Sequence, residues 1–403
     1  MEKQRRLAIT ILATICVTYF VENFLRSAAS ALTPVLIQEL GISRGAMGLL
    51  ITGYFLIYGI MQLPAGVLTD VLGPRKSIVW FTALTLVGGV LFWLSYRYEL
   101  LFAAQFIMGI GTSVFYINAI TIIGRWFPPE RKATAIGVLS ASTGIGAFAS
   151  YMGFPLATVM WGSWRTLYFV MLSVLAINWV MNLLVLKDFP ETTIQTLQTR
   201  QNILTSIKET LMDRRLYPLI FGYIMLGLNF TLFSWANQFL IETKKLTYIE
   251  SGMVTSLGTV AGFIGCLAIG VLSDRIRKRR LPIIFFLGVY TLRLAGLIVI
   301  PAGYPIATYA GIWGIMSLCG SIWVLFPSMV GELVPPRKVS IGFGAMNGLT
   351  MIFSSLATPI YGSLVDMTGS FFVPTIISLG LGVFTLIILF IFLKETYGNT
   401  NRE

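Results

Sequence analysis

Two charged residues one helical turn apart, Glu22 and Arg26, stand inside an otherwise apolar run near the start of the chain. Four residues is the spacing that puts two side chains on one face of a helix, and acid before base is the favourable order. A guanidinium in a low-dielectric setting can hold a carboxylate or another small anion. A carboxyl group beside it can carry a proton or hold the guanidinium in place; the alternative is a purely structural ion pair. A charge at mid-bilayer costs at least about 2.5–3.5 kcal/mol on insertion scales, so both groups must face protein or a water-filled cavity. Tyr19, Asn23, Ser27 and Ser30 share the run and add an aromatic wall and polar hooks.

The rest of the composition narrows the chemistry. There is no histidine, which removes imidazole metal sites, Ser–His and Cys–His nucleophile pairs and histidine proton relays together. Proton chemistry must then use carboxylates, and among the 17 acidic residues Glu22 is the one deep inside an apolar run. Cys16, Cys266 and Cys319 all fall in apolar runs without ligand-like spacing and read as small packing residues. No metal and no cofactor is expected, and no nucleophile–base pair stands out, so an enzyme is not the expected class.

The elements that must position these groups follow from the composition. Of 403 residues 56% are apolar and 11% charged, where soluble domains carry about 25% charged residues. Such a chain is expected to lie in a membrane. Apolar runs bounded by charge, Gly and Pro give twelve candidate spans, at about 7–33, 45–68, 77–96, 100–124, 132–158, 164–186, 216–241, 250–272, 281–300, 305–330, 338–363 and 370–393. The run from Leu7 exceeds a signal-peptide core and lacks a small-residue cleavage pattern, so it reads as a permanent first span.

The formal net charge of +12 is explained by where the basic residues sit. Arg5, Arg6, Arg75, Lys76, Arg125, Arg131, Lys132, Arg214, Arg215, the run Arg275–Arg280, Arg337 and Lys338 all fall on one side of the spans. Arg44, Arg97, Arg165, Lys244 and Lys245 fall on the other. The positive-inside rule then puts both termini in the cytoplasm, as expected of a multi-pass protein of a cell (inner) membrane. The basic excess orients the chain in a lipid bilayer and calls for no nucleic acid.

An internal repeat divides the chain. Gly66–Lys76 reads GVLTDVLGPRK and Gly270–Arg280 reads GVLSDRIRKRR; Asp70 and Asp274 recur at the same offset as Pro155 and Pro359. Residues 1–186 and 216–403 are therefore expected to form two pseudo-symmetric six-helix bundles of an all-α integral membrane protein. The polar stretch 187–215 is a cytoplasmic linker whose Leu204, Ile207 and Leu211 share one helix face. Transporters built on such repeats bind substrate near the midplane between the halves.

The pattern Gly66-x-Leu68-x-Asp70-x-x-Gly73-x-Arg75-Lys76, its weaker copy at Asp274, Trp126-Phe127-Pro128 with Arg131, and Gly162-x-Trp164-Arg165 resemble the major facilitator superfamily over essentially the whole chain. The resemblance implies two bundles that rock about a central site lined by spans one, four, seven and ten. It assigns Asp70, Arg75, Asp274 and Arg125 to gating. Arg26, then Pro34 and the run Glu39-Leu40-Gly41-Ile42-Ser43, resemble the first span of the organic anion:cation symporter and organophosphate:phosphate antiporter branches, where this arginine engages the anion. Leu25 replaces an aspartate of the symporters, Gln105 and Thr112 replace their span-four Arg and Glu, and span seven has no second arginine. A monocarboxylate or a zwitterion is thus favoured over a doubly charged phosphate.

The expected function is secondary active transport of a small organic anion by alternating access, with proton-coupled uptake through Glu22, in a monomer. Further substrate contacts are expected from Tyr19, Asn23, Tyr116, Asn118, Asn229, Trp235, Gln238, Trp313 and Trp323, although such residues also serve as helix-packing glue. The alternative is a proton-coupled exporter of drugs or metabolites. Arg293, the remaining charge within a span, reads as a packing or snorkelling residue.

Overall fold

The computed structural model describes residues 2–187 and 212–397, apart from the side chains at 2–5, 63, 66, 67, 70, 129, 130, 133, 336–338 and 340. The linker residues Leu204, Ile207 and Leu211 lie outside the described residues. Helices and no strands form the described part, and twelve of the helical stretches are long and apolar enough to cross a membrane, one for each expected span. Glycine and proline set several boundaries. Gly73, at φ 78°, turns the chain directly into Pro74 at the start of span three, and Gly162 and Gly369 adopt the left-handed conformation that closes spans five and eleven.

The contacts resolve two compact units, Met1–Leu40 with Leu50–Arg200, and Gly41–Leu49 with Gln201–Glu403. In the first, span one packs against spans five and six, and span three against spans four and six. Helix association in lipid has no hydrophobic drive and depends on close approach and on hydrogen bonds between helices. Both are present. Gly146 of span five lies directly against the backbone of Phe20, leaving no room for a side chain. Asn178 of span six donates to the Thr14 carbonyl at 2.8 Å and to the Thr18 hydroxyl at 2.7 Å, and Asn182 donates to Thr18 at 2.8 Å. In the second unit span eight packs on span ten, span seven on eleven and twelve, and span nine on ten and twelve. Asn229 of span seven donates to Thr385 of span twelve at 3.0 Å, and the Tyr290 hydroxyl of span nine donates to the Asn229 carbonyl at 2.9 Å.

Spans one, four, seven and ten are interrupted helices. Span one breaks between Ala31 and Thr33, and span four at Val114 between Tyr98–Ser113 and Phe115–Trp126. Span seven breaks at Phe230 and Trp235, and span ten passes through a 3₁₀ turn at Ser321–Val324. At each break a short polar side chain bonds a carbonyl one turn back: Thr33 to Ala29, Thr112 to Met108, Asn229 to Met225 and Ser321 to Ser317. Such back-bonding competes with the helical ladder and bends it. The unwound turns thus fall on the helices that carry Arg26 and most of the candidate contacts.

Candidate functional site

Arg26 lies in the last turns of span one, half-buried. Its guanidinium stands over two aromatic rings of span two, 5.1 Å from the centroid of Phe55 and 5.5 Å from that of Tyr58. Ring faces stabilise a cation by about 0.5–2 kcal/mol, yet they accept none of the five guanidinium N–H bonds in the way an anion does. Among the described residues no carboxylate pairs with Arg26. Its charge acts on the phenols of Tyr19, Tyr54 and Tyr151. Tyr54 in turn shares a 2.5 Å hydrogen bond with Thr112 beside the span-four break.

Glu22, one turn earlier, is 2% exposed, and neither carboxyl oxygen has a hydrogen-bond partner among the described residues. The Thr82 hydroxyl of span three lies beside it and is likewise unpartnered. The structural ion pair with Arg26 that the spacing allows is therefore not formed. Helical spacing places both residues on one face, but the guanidinium turns to the rings of span two while the carboxyl stays in the bundle.

The other span-one and span-four candidates surround this pair unevenly. Tyr19 stacks against Phe115 and Tyr116, at centroid distances of 5.5 and 5.6 Å, and Tyr116 is half-buried with its hydroxyl 3.4 Å from that of Ser140. Asn23 and Asn118 turn back on their own helices, donating to the carbonyls of Tyr19 at 2.8 Å and Val114 at 2.7 Å. The Oδ1 atom of Asn118 is buried without a partner among the described residues.

In the second unit Trp235 and Trp313 are fully buried. The Trp235 indole donates to the Thr358 carbonyl at 3.2 Å, and Trp313 packs against Gly258 and the Phe233 ring. Gln238 donates to Glu242, which also receives Arg44 at 2.7 Å, while Arg44 reaches Asp366 at 3.2 Å. Asn229 is tied to Thr385 as described, and Trp323 is 42% exposed.

The residues assigned to gating make contacts of their own. The side chain of Asp70 lies outside the described residues. Arg75 donates to the Leu183 carbonyl at 3.0 Å, Asp274 pairs with Arg279 at 2.6 Å, and Arg125 is exposed. Sequence spacing gave no reason to single out Phe55, Tyr58 or Tyr54. The available signal was the run Tyr54-Phe55-x-x-Tyr58, which puts two tyrosines at i and i+4 in an apolar span.

Comparison with known proteins agrees with this architecture. The family model of the Major Facilitator Superfamily matches residues 15–347. The hexuronate transporter of Bacillus subtilis is 24% identical over 397 residues, covering 93% of this chain and 92% of that protein. The probable sulfoacetate transporter SauU of Cupriavidus necator is 25% identical over 402 residues, covering 94% and 93%. Among solved structures, a crystal structure of the nucleoside transporter NupG superposes with a TM-score of 0.79 at 13% identity, covering 96% of this chain and all of that one.

Proposed function

The chain belongs to the Major Facilitator Superfamily of membrane transporters and is not an enzyme, and on that footing we propose that it is a secondary active transporter of a small organic anion, a monocarboxylate or similar. The observation that carries this is Arg26, a guanidinium inside a span with ring faces behind it and no protein acceptor among the described residues. The hexuronate and sulfoacetate for which the two relatives above are named are both organic anions bearing a carboxylate. Arg26 takes the substrate carboxylate, and the rings of Phe55, Tyr58 and Tyr19 bound the organic part.

Transport proceeds by alternating access and is uptake coupled to protons. An inside-negative potential opposes entry of a monoanion by about 2.3 kcal/mol per 100 mV, so accumulation needs a coupled cation or an exchanged anion, and we assign the first. Glu22 is the carrier of that proton. An ionised carboxyl is far more costly to bury than the neutral acid. The groups that face Glu22 are Thr82 of span three and, at longer range, Tyr54 of span two. In the same proposal residues 1–186 and 216–403 are the two transport domains, 187–215 links them in the cytoplasm, both termini are cytoplasmic and the protein is monomeric.

The test is uptake into proteoliposomes. An imposed inward proton gradient accelerates uptake of a monocarboxylate such as a hexuronate by wild-type protein, and Glu22→Gln removes the acceleration while leaving binding. Unchanged gradient-driven uptake by Glu22→Gln ends the proton assignment. An exporter of lipophilic compounds, the competing class, would retain binding in Arg26→Ala.

A further inference from the structure

Span three, Pro74–Leu94, carries a hydroxyl that its own helix does not use. Thr14, Thr18, Thr69, Thr85 and Thr112 of the same unit all donate to backbone carbonyls three or four residues back, the ordinary resting place of a threonine hydroxyl in a helix. Thr82 does not. It is fully buried, and its Oγ1 has no partner among the described residues. Packing sets the direction of its face. Gly89, two turns along the same face, lies against Leu25 of span one and Leu172 of span six. Arg75 donates to the Leu183 carbonyl at 3.0 Å and the Trp179 indole to the Val79 carbonyl at 2.9 Å, which ties span three to span six. The Thr82 face is thus held toward spans one and six, and the hydroxyl lies beside the Glu22 carboxyl.

The other polar groups of the bundle are engaged elsewhere. Asn178 and Asn182 of span six bond Thr14 and Thr18, and Asn23 bonds its own helix. Tyr54 of span two feels the Glu22 charge, but its hydroxyl is shared with Thr112. The phenols of Tyr19 and Tyr151, on spans one and five, answer to Arg26 instead, and that of Tyr168 on span six to burial alone. Tyr116 of span four stacks on Tyr19, and Arg26 is turned to the rings of span two. A buried carboxyl and a buried hydroxyl therefore lie side by side, neither with another partner among the described residues. A hydroxyl offers one donor and two acceptor sites and rotates to suit its neighbour, so it can serve a carboxyl in either protonation state.

We propose that Thr82 is a positioning residue for proton coupling, an inference that rests on the assignment of the transported proton to Glu22. With Glu22 ionised, the Thr82 hydroxyl donates to a carboxylate oxygen. With Glu22 protonated, the acid O–H donates to Thr82 Oγ1, whose own hydrogen turns to the Ile78 carbonyl one turn back. Thr82 keeps its hydrogen throughout, and only the proton on Glu22 enters and leaves. A hydrogen bond to an ionised group is about twice as strong as one between neutral groups, so the hydroxyl favours release of the proton.

The experiment reconstitutes the full-length protein in proteoliposomes and follows glucuronate uptake driven by an inward proton gradient over a range of external pH. Thr82→Val keeps the side-chain shape and removes the hydroxyl; it moves the pH midpoint of uptake upward by about one unit, a tenfold change in proton affinity. Thr82→Ser keeps the wild-type midpoint. Glucuronate exchange at equal pH on both sides, which a merely structural defect would slow, runs at the wild-type rate in both variants. Difference infrared spectroscopy of the reconstituted protein gives a second readout that needs no substrate: the band of the protonated Glu22 carboxyl, identified by its loss in Glu22→Gln, titrates with the same upward displacement in Thr82→Val. An unchanged midpoint in Thr82→Val by both readouts, with the gradient response lost in Glu22→Gln, overturns the role of Thr82 and leaves Glu22 as carrier. An equal shift in Thr82→Ser also overturns it, because packing and not the hydroxyl would then be responsible. A Glu22→Gln variant that keeps its response to the gradient overturns the proton assignment itself, and the role of Thr82 with it.

Discussion

Replacing Arg26 by alanine should remove substrate binding from a protein that still folds. Two unit charges about 4 Å apart attract by about 4 kcal/mol at an effective dielectric of about 20, and a hydrogen bond to a charged group nets about 1.5–3 kcal/mol. Arg26 is half-buried and already held over Phe55 and Tyr58, at 5.1 and 5.5 Å, so little is lost in ordering it when the anion arrives. A loss of about 3–4 kcal/mol follows for Arg26→Ala, two to three decades in Kd at 1.4 kcal/mol per decade. Arg26→Lys keeps the charge but loses the two-pronged donor geometry and the flat stacking surface, a loss of about 1.5–3 kcal/mol or one to two decades. Titration calorimetry of a hexuronate or another monocarboxylate into the purified protein measures both. Size exclusion and circular dichroism establish that the variants are folded. A Kd for Arg26→Ala within tenfold of wild type would refute the assignment of Arg26 to the anion.

Two other predictions concern the ends of the bundles. Glu39 accepts from Arg165 at 2.5 Å and from the Trp164 indole at 3.1 Å, and the Arg165 guanidinium lies over Tyr96 at 4.1 Å. Glu39→Ala leaves that partly buried guanidinium over the Tyr96 and Trp164 rings with the Ser95 carbonyl as its remaining acceptor among the described residues. The cost is about 1–2 kcal/mol, read as a fall of a few degrees in the thermal midpoint, with a smaller fall in Glu39→Gln; an unchanged midpoint in Glu39→Ala would show that the cluster carries no stability. Glu395 lies outside the membrane and accepts backbone N–H bonds from Arg279, Arg280, Thr396 and Tyr397. Partial burial alone would raise its pKa, but these donors outweigh it and hold the carboxyl below its ordinary range. A depressed folded-state pKa means that the stabilisation is present above the unfolded-state pKa and is lost as pH falls through the folded one. Hydrogen exchange at 393–397 should therefore be slow at neutral pH and lose its protection on acidification, and Glu395→Gln should abolish that pH dependence.

The fold was legible because its determinants are one-dimensional. Span number follows from apolar run length, and the expectation of two halves rests on GVLTD and GVLSD, which lie near the ends of the helices Arg44–Leu72 and Tyr248–Ile276. Glu22 and Arg26 were legible for the same reason, since a charge inside an apolar run stands out whatever the neighbouring helices do. Their relationship was not. Spacing of four residues is necessary for an ion pair but leaves the guanidinium free to choose a better surface on another helix, and Phe55 and Tyr58 provide one. Aromatic residues are common in spans, so nothing in the sequence separates these two from Trp235 and Trp313, which packing buries completely.

How the chain treats its other cations gives the unpaired ones their meaning. Arg44, Arg165 and Arg279, all near the ends of spans, each meet a carboxylate. Pairing is therefore available to this chain where a charge must be settled for structure alone. Arg26 and Arg293 lie further inside spans, where an uncompensated charge is most costly, and neither has an acceptor among the described residues. A charge left open at such a cost needs a counter-charge from outside the polypeptide. For Arg26, held over the rings of Phe55 and Tyr58 of span two, we assign that role to the transported anion. Arg26→Ala should therefore abolish substrate binding, and Arg293→Gln should leave it intact.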